Sequence, residues 1–257
     1  MAPPPAHTTG NLLYIIEPEG GLPAYQHVNA NPITGERERN FQREERSVVI
    51  ENLRGKEDAV SLDTAGFQFY HCPSKHILHS PMMKRSGRNI IPRAPSSLTK
   101  QRERAGWNCS TIVRFYVPTF IKILFIILLH SAIRHRCPGE ADDSAEHRQP
   151  VSQVHVDQTT ASAIARVHRH LPASEVPKLL ERRFQIINLW RPIATPAVDW
   201  PLTLCDYRSI NLKQEVIPVK LIFPDREGET LGVKYNENHK WKYLQGMTLE
   251  EFVLIKW

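Results

Sequence analysis

The sequence predicts an α+β fold made mostly of short strands. Two observations carry this: brief runs rich in β-branched and aromatic residues recur near both ends of the chain, and helical patterning is confined to residues 159–183. In chain order, strands are predicted at Asn11–Ile16, Ser47–Asn52 and Ala65–Tyr70, the last half-alternating. A helix from Ser174, as N-cap, through Arg183 then leads into a strand at Gln185–Arg191. Val216–Phe223 forms a further strand, and Thr248-x-x-Glu251 has the spacing of a capping box before Phe252-Val-Leu-Ile-Lys256. With 257 residues and 41% hydrophobic content, the chain has enough apolar surface for one large core.

The patterning divides the chain into three parts. Residues 1–76 and 133–257 read as two pieces of one domain, whereas 77–132 is aberrant, first basic and then abruptly apolar. The net charge of +6 would ordinarily suggest a nucleic-acid partner. Its distribution argues otherwise. Residues 81–116 carry Lys84, Arg85, Arg88, Arg93, Lys100, Arg102, Arg104 and Arg114 against Glu103 alone, so the rest of the chain is nearly neutral. No nucleic-acid partner is expected. Cys72, Cys109, Cys137 and Cys205 show no CxxC spacing, and the N-terminus has neither the basic nor the apolar part of a secretory signal. Free thiols, a cytoplasmic location and an unmodified Asn108-Cys109-Ser110 sequon follow as expectations.

The chemistry is concentrated at Val154-His155-Val156-Asp157-Gln158. Residues two apart on a strand face the same side, so His155 and Asp157 can converge on one metal while the valines face a core. An imidazole and a carboxylate arranged this way, with a distant second histidine, make the facial triad of non-haem iron oxygenases. The pattern alone leaves a second reading open: a surface histidine and an aspartate capping a helix over Thr159–Leu171.

The surrounding residues extend this signal. Arg148–Pro172, Asn188-Leu-Trp-Arg-Pro-Ile193, Pro201-Leu-Thr-Leu-Cys-Asp206 and Tyr235–Tyr243 resemble the fungal hydroxylase/desaturase AsaB family, which is related to CmcJ of cephamycin biosynthesis. Gly10–Ser74 does so too, through Tyr25-Gln-His-Val-Asn-Ala-Asn31 and Asn52-Leu-Arg-Gly55. The resemblance implies a double-stranded β-helix, or jelly roll, and an oxidoreductase of secondary metabolism. Such an enzyme uses Fe(II), O2 and 2-oxoglutarate to hydroxylate or desaturate a small-molecule intermediate. It also implies that His155 and Asp157 are iron ligands.

In the family, a histidine element supplying the third ligand and an arginine strand follow the stretch matching Phe252–Lys256; the present sequence has neither, so an incomplete core is expected. His239 lies downstream of the HxD at a tolerable distance and is the one substitute to weigh. Asn188, Trp190 and Arg191 are pocket candidates, against an alternative of core packing with a structural salt bridge. Two competing functions remain. One is methyl transfer, which lacks support because no glycine-rich loop joins a strand to a helix. The other is a non-catalytic remnant.

Residues 77–132 invite a genetic explanation. Met82-Met83-Lys84 must be ATG-ATG-AAR, and a shifted frame respells Pro81 to Leu98 as an acidic, helical segment like that of the family. A frame shift over about 77–112, followed by intron read-through, accounts for the whole insert. The apolar run Phe115–Leu129 admits two further readings, a single membrane pass over 113–132 or a buried helix. It is short for a pass and is interrupted by Pro118 and Lys122.

Overall fold

The computed structural model describes residues 4–31, 33–71, 151–192 and 196–256, together with the backbone of two strands in the central segment. Among the described residues the strands form three sheets, and each joins strands remote in sequence. In the first, β1 (His7–Ile16) pairs antiparallel with β3 (Gln42–Asn52), which runs parallel to β12 (Trp241–Tyr243), itself antiparallel to β9 (Thr203–Cys205). The second has the order β2 (Ala24–His27), β10 (Val216–Ile222), β11 (Glu227–Val233), β7 (His155–Val156). The third has the order β4 (Phe67–His71), β13 (Glu251–Lys256), β8 (Gln185–Trp190), β5 (Asn108–Tyr116), β6 (Leu124–Ile133). This is a jelly-roll core that carries, among the described residues, two α-helices, α1 (Thr160–His170) and α2 (Val176–Leu180).

Alternation along the strands places the core. Tyr14, Ile50, Val154, Val233, Trp241 and Tyr243 bury one cluster, in which the Trp241 indole donates to the Tyr14 hydroxyl at 2.9 Å. Burial raises the Tyr14 phenol well above its usual range. A second cluster gathers Leu53, Phe67, Phe69, Val253 and Met247, with Trp190 packed against it. Val167 of α1 is fully buried against Leu171, Val176 and Ile186, so the helix docks on one end of β8.

Several local expectations change. The helix expected from Ser174 is shorter: α2 begins after Glu175, which makes no side-chain cap, because Pro177 fits only the first helical turn. Helix α1 is capped by Thr159, whose hydroxyl accepts from Ser162 N at 3.0 Å, and not by Asp157. At Thr248-x-x-Glu251 half of a capping box forms, with Glu251 Oε2 accepting from Thr248 N at 2.7 Å. A strand follows it, since Phe252–Ile255 finds partners in β4 and β8.

The membrane reading of 113–132 is corrected. Its described residues belong to β5 and β6, which pair with each other, and β5 also pairs with β8 from Ile112↔Leu189 to Tyr116↔Gln185. Pro118 and Lys122 fall between the two strands, where a helix would have had to continue. Among the described residues no helix is long and apolar enough to cross a membrane. The calls on 77–107, 117–123 and 134–150 lie outside the described residues.

Candidate metal centre

Strand β7 is only two residues long, yet it is fixed on both sides. Leu231↔Val156 and Gly232↔His155 tie it to β11, while Leu13 N donates to Ser152 O and Val154 N to Leu13 O, tying the residues just before it to β1. Thr230 Oγ1 adds a bond to Val156 O at 2.5 Å. Gly232 leaves no room for more: a Cβ there would come within 2.9 Å of Ile15 Cδ1 and 3.2 Å of Val219 Cγ2.

On this strand and the turn after it, His155 Nε2 and Asp157 Oδ1 lie 3.2 Å apart, each side chain 37% exposed. Their second atoms are held from behind. His155 Nδ1 is 2.8 Å from Gln153 O, a contact that makes Nδ1 the protonated nitrogen and puts Nε2 on the carboxylate side. Asn188 Nδ2 donates to Asp157 Oδ2 at 2.8 Å. One nitrogen and one carboxylate oxygen thus face each other at the protein surface, a donor set that suits a divalent transition metal with nitrogen and oxygen preference. Among the described residues no third His, Cys, Asp or Glu joins them.

Of the residues singled out in the sequence, Asn188 is brought to the pair, two are not, and one is far removed in role. Trp190 shares a strand face with Asn188 but packs with the Phe67, Phe69 and Val253 cluster. Arg191 reaches back to the carbonyls of Leu249 and Pro192. His239 is buried, with Nε2 2.9 Å from Glu215 Oε2 and its ring stacked on Tyr14 at 5.8 Å. Burial opposes ionisation of Glu215, but hydrogen bonds from His239, Asn211 N and Asn236 outweigh it and hold the carboxyl below its usual range.

Arg166 is not among the residues that the sequence singles out. It is half-buried on α1, and burial lowers its pKa against the opposing pull of Asp157. The signal was there to read: nine residues after Asp157, it falls on the buried side of a helix that starts directly after the motif.

Comparison with known proteins decides the family. The model for the oxidoreductase/YMDC permease-like domain matches residues 12–85 and 124–257. The chain belongs to this family, that of the fungal hydroxylases/desaturases. It is 30% identical over 230 residues to "Hydroxylase/desaturase CTB9" of Cercospora beticola, which covers 83% of this chain and 65% of that protein. Against "Hydroxylase/desaturase poxK" of Penicillium oxalicum the identity is 25% over 278 residues, covering 99% and 78%. The solved "iron and alpha-ketoglutarate-dependent endoperoxidase NvfI" superposes with a TM-score of 0.62 at 20% identity, over 98% of this chain and 84% of that one. This hydroxylase/desaturase family member therefore spans just under two thirds of the Cercospora relative's length.

Proposed function

We propose that the protein is an oxidoreductase of fungal secondary metabolism, a hydroxylase or desaturase that acts on a small-molecule intermediate with Fe(II) and 2-oxoglutarate. The observation that carries this is the facing of His155 Nε2 and Asp157 Oδ1 at 3.2 Å, each held from behind by a hydrogen bond. The names of the curated relatives and of the endoperoxidase support it. The residues present fit an iron centre in two of its protein positions: His155 would supply the nitrogen and Asp157 the carboxylate oxygen. When bound, Fe(II) with 2-oxoglutarate and O2 supplies the oxidant that removes hydrogen from an unreactive carbon.

The chain's own part is to hold and orient. The Gln153 carbonyl keeps the proton on His155 Nδ1, and Asn188 turns Asp157 so that Oδ1 faces the imidazole. Arg166 contributes positive charge beside Asp157, suited to a carboxylate such as that of 2-oxoglutarate. Trp190 is read as core more than as pocket wall. A cytoplasmic site of action belongs to the same reading, as does an aberrant insert over 77–132, whose described strands pair into the third sheet. Methyl transfer has no observation in its favour.

Anaerobic titration with Fe(II), followed by O2-dependent conversion of 2-oxoglutarate to succinate, tests the proposal. Metal binding that His155→Ala and Asp157→Ala both abolish is the expected result. A chain that binds no divalent metal through these residues would be a non-catalytic remnant.

A further inference from the structure

Asn188 has properties that packing does not explain. Its side chain is only 7% exposed and sits on the same face of β8 as Ile186 and Trp190, both in apolar clusters. A residue kept there for stability would be apolar, because a buried amide must find partners for both ends. Asn188 satisfies one end: Nδ2 donates to Asp157 Oδ2 at 2.8 Å. Its Oδ1 is buried and has no hydrogen-bond partner among the described residues. The fold therefore tolerates an unsatisfied buried oxygen to keep a donor behind one carboxylate.

We infer that Asn188 is a positioning residue for the metal centre, one that engages Asp157 Oδ2 and so commits the carboxylate to binding a divalent cation through Oδ1 alone. This rests on the metal-binding reading given above and deepens it. An aspartate without that restraint can rotate and present either oxygen, which lowers the population set for the metal. The amide also fixes which oxygen lies 3.2 Å from His155 Nε2.

The test replaces Asn188 by leucine, which has nearly the same shape and no polar atoms, and measures Co(II) affinity by absorption alongside thermal stability. A structural role and a positioning role then predict opposite signs. As a positioning residue, Asn188→Leu leaves Tm unchanged or raises it and weakens Co(II) binding by about tenfold or more. Asn188→Ala does the same to affinity if the bulk of leucine disturbs the strand. Folded variants that bind Co(II) within about twofold of the wild type, or a failure of both variants to fold, would overturn the inference. Absence of Co(II) binding in the wild type itself is a different failure, because it removes the metal-binding reading before Asn188 is reached.

Discussion

Two of the histidine–carboxylate pairs among the described residues have similar geometry and opposite settings. His239 and Glu215 lie 2.9 Å apart with side chains 1% and 9% exposed; His155 and Asp157 lie 3.2 Å apart, both 37% exposed. Around Glu215 every approach is filled, by Asn211 N, by Asn236 and by the imidazole. Around Asp157, Asn188 holds the rear oxygen and His155 Nε2 lies 3.2 Å from the front one. The difference teaches that partner count and burial, and not the pairing of residue types, separate a joint of the fold from a site. A sealed pair cross-links the loop before β10 to the turn before β12. The open pair keeps one face exposed.

Removing the sealed pair should give the largest stability change. Glu215→Ala strips a buried imidazole and a side-chain amide of their acceptor, with an expected loss of about 3–5 kcal/mol in a urea titration. Divalent-metal affinity of the folded fraction should not change; a parallel fall in affinity would break the distinction between the two pairs. Next is the ion pair of Arg54 with Glu251, in which Arg54 also donates to Gln245 O at 2.6 Å. Arg54→Ala is expected to cost about 2–3 kcal/mol, read as a shift in urea midpoint.

Acid should weaken the joints of the fold. The carboxyls of Glu215 and Glu251 are held below their usual value of 4.5 in the fold, so their contribution is complete above that pH and is lost as pH falls through the depressed folded values. Urea midpoints should therefore be flat near neutrality and fall below about pH 4.5. In Glu215→Ala the slope of that fall should be smaller. Gly232→Ala probes the strand facing His155: the new methyl meets the ends of Ile15 and Val219, for an expected cost of about 1–2 kcal/mol. The smallest stability effect belongs to His155→Ala, within about 0.5 kcal/mol by the same titration, although it should abolish metal binding. A large destabilisation by His155→Ala would mean that the open pair is a joint after all.

What was legible in the sequence followed local rules. The strands at 11–16, 47–52, 185–191 and 216–223 were predicted because a run of β-branched and aromatic residues has few alternatives, and their observed limits differ by a few residues. Helix α2 came out shorter because the register of Pro177 in the first turn outweighed Ser174 as a cap. Phe115–Leu129 reads first as a translated intron and otherwise as a membrane pass or buried helix, although its Ile, Phe and Leu content suits a strand as well, and its described residues lie in β5 and β6. Asn188 was named as a pocket residue from resemblance alone. That it lies behind Asp157 depends on how β8 and the turn after β7 meet in space, a relation between residues 31 positions apart that no local pattern encodes. His239 stood out as a downstream histidine, and its partner Glu215 lay unnoticed in an unremarkable loop.

The atom that orients the His155 ring belongs to the main chain. Because the Gln153 carbonyl accepts from Nδ1, the bond is made by the main chain and not by the side chain at position 153. The tautomer is thus inherited from the course of the backbone between β1 and β11 and is invisible to a comparison of side chains. Insertions and deletions near 153, which redirect that course, are the genetic changes to which this ring is vulnerable.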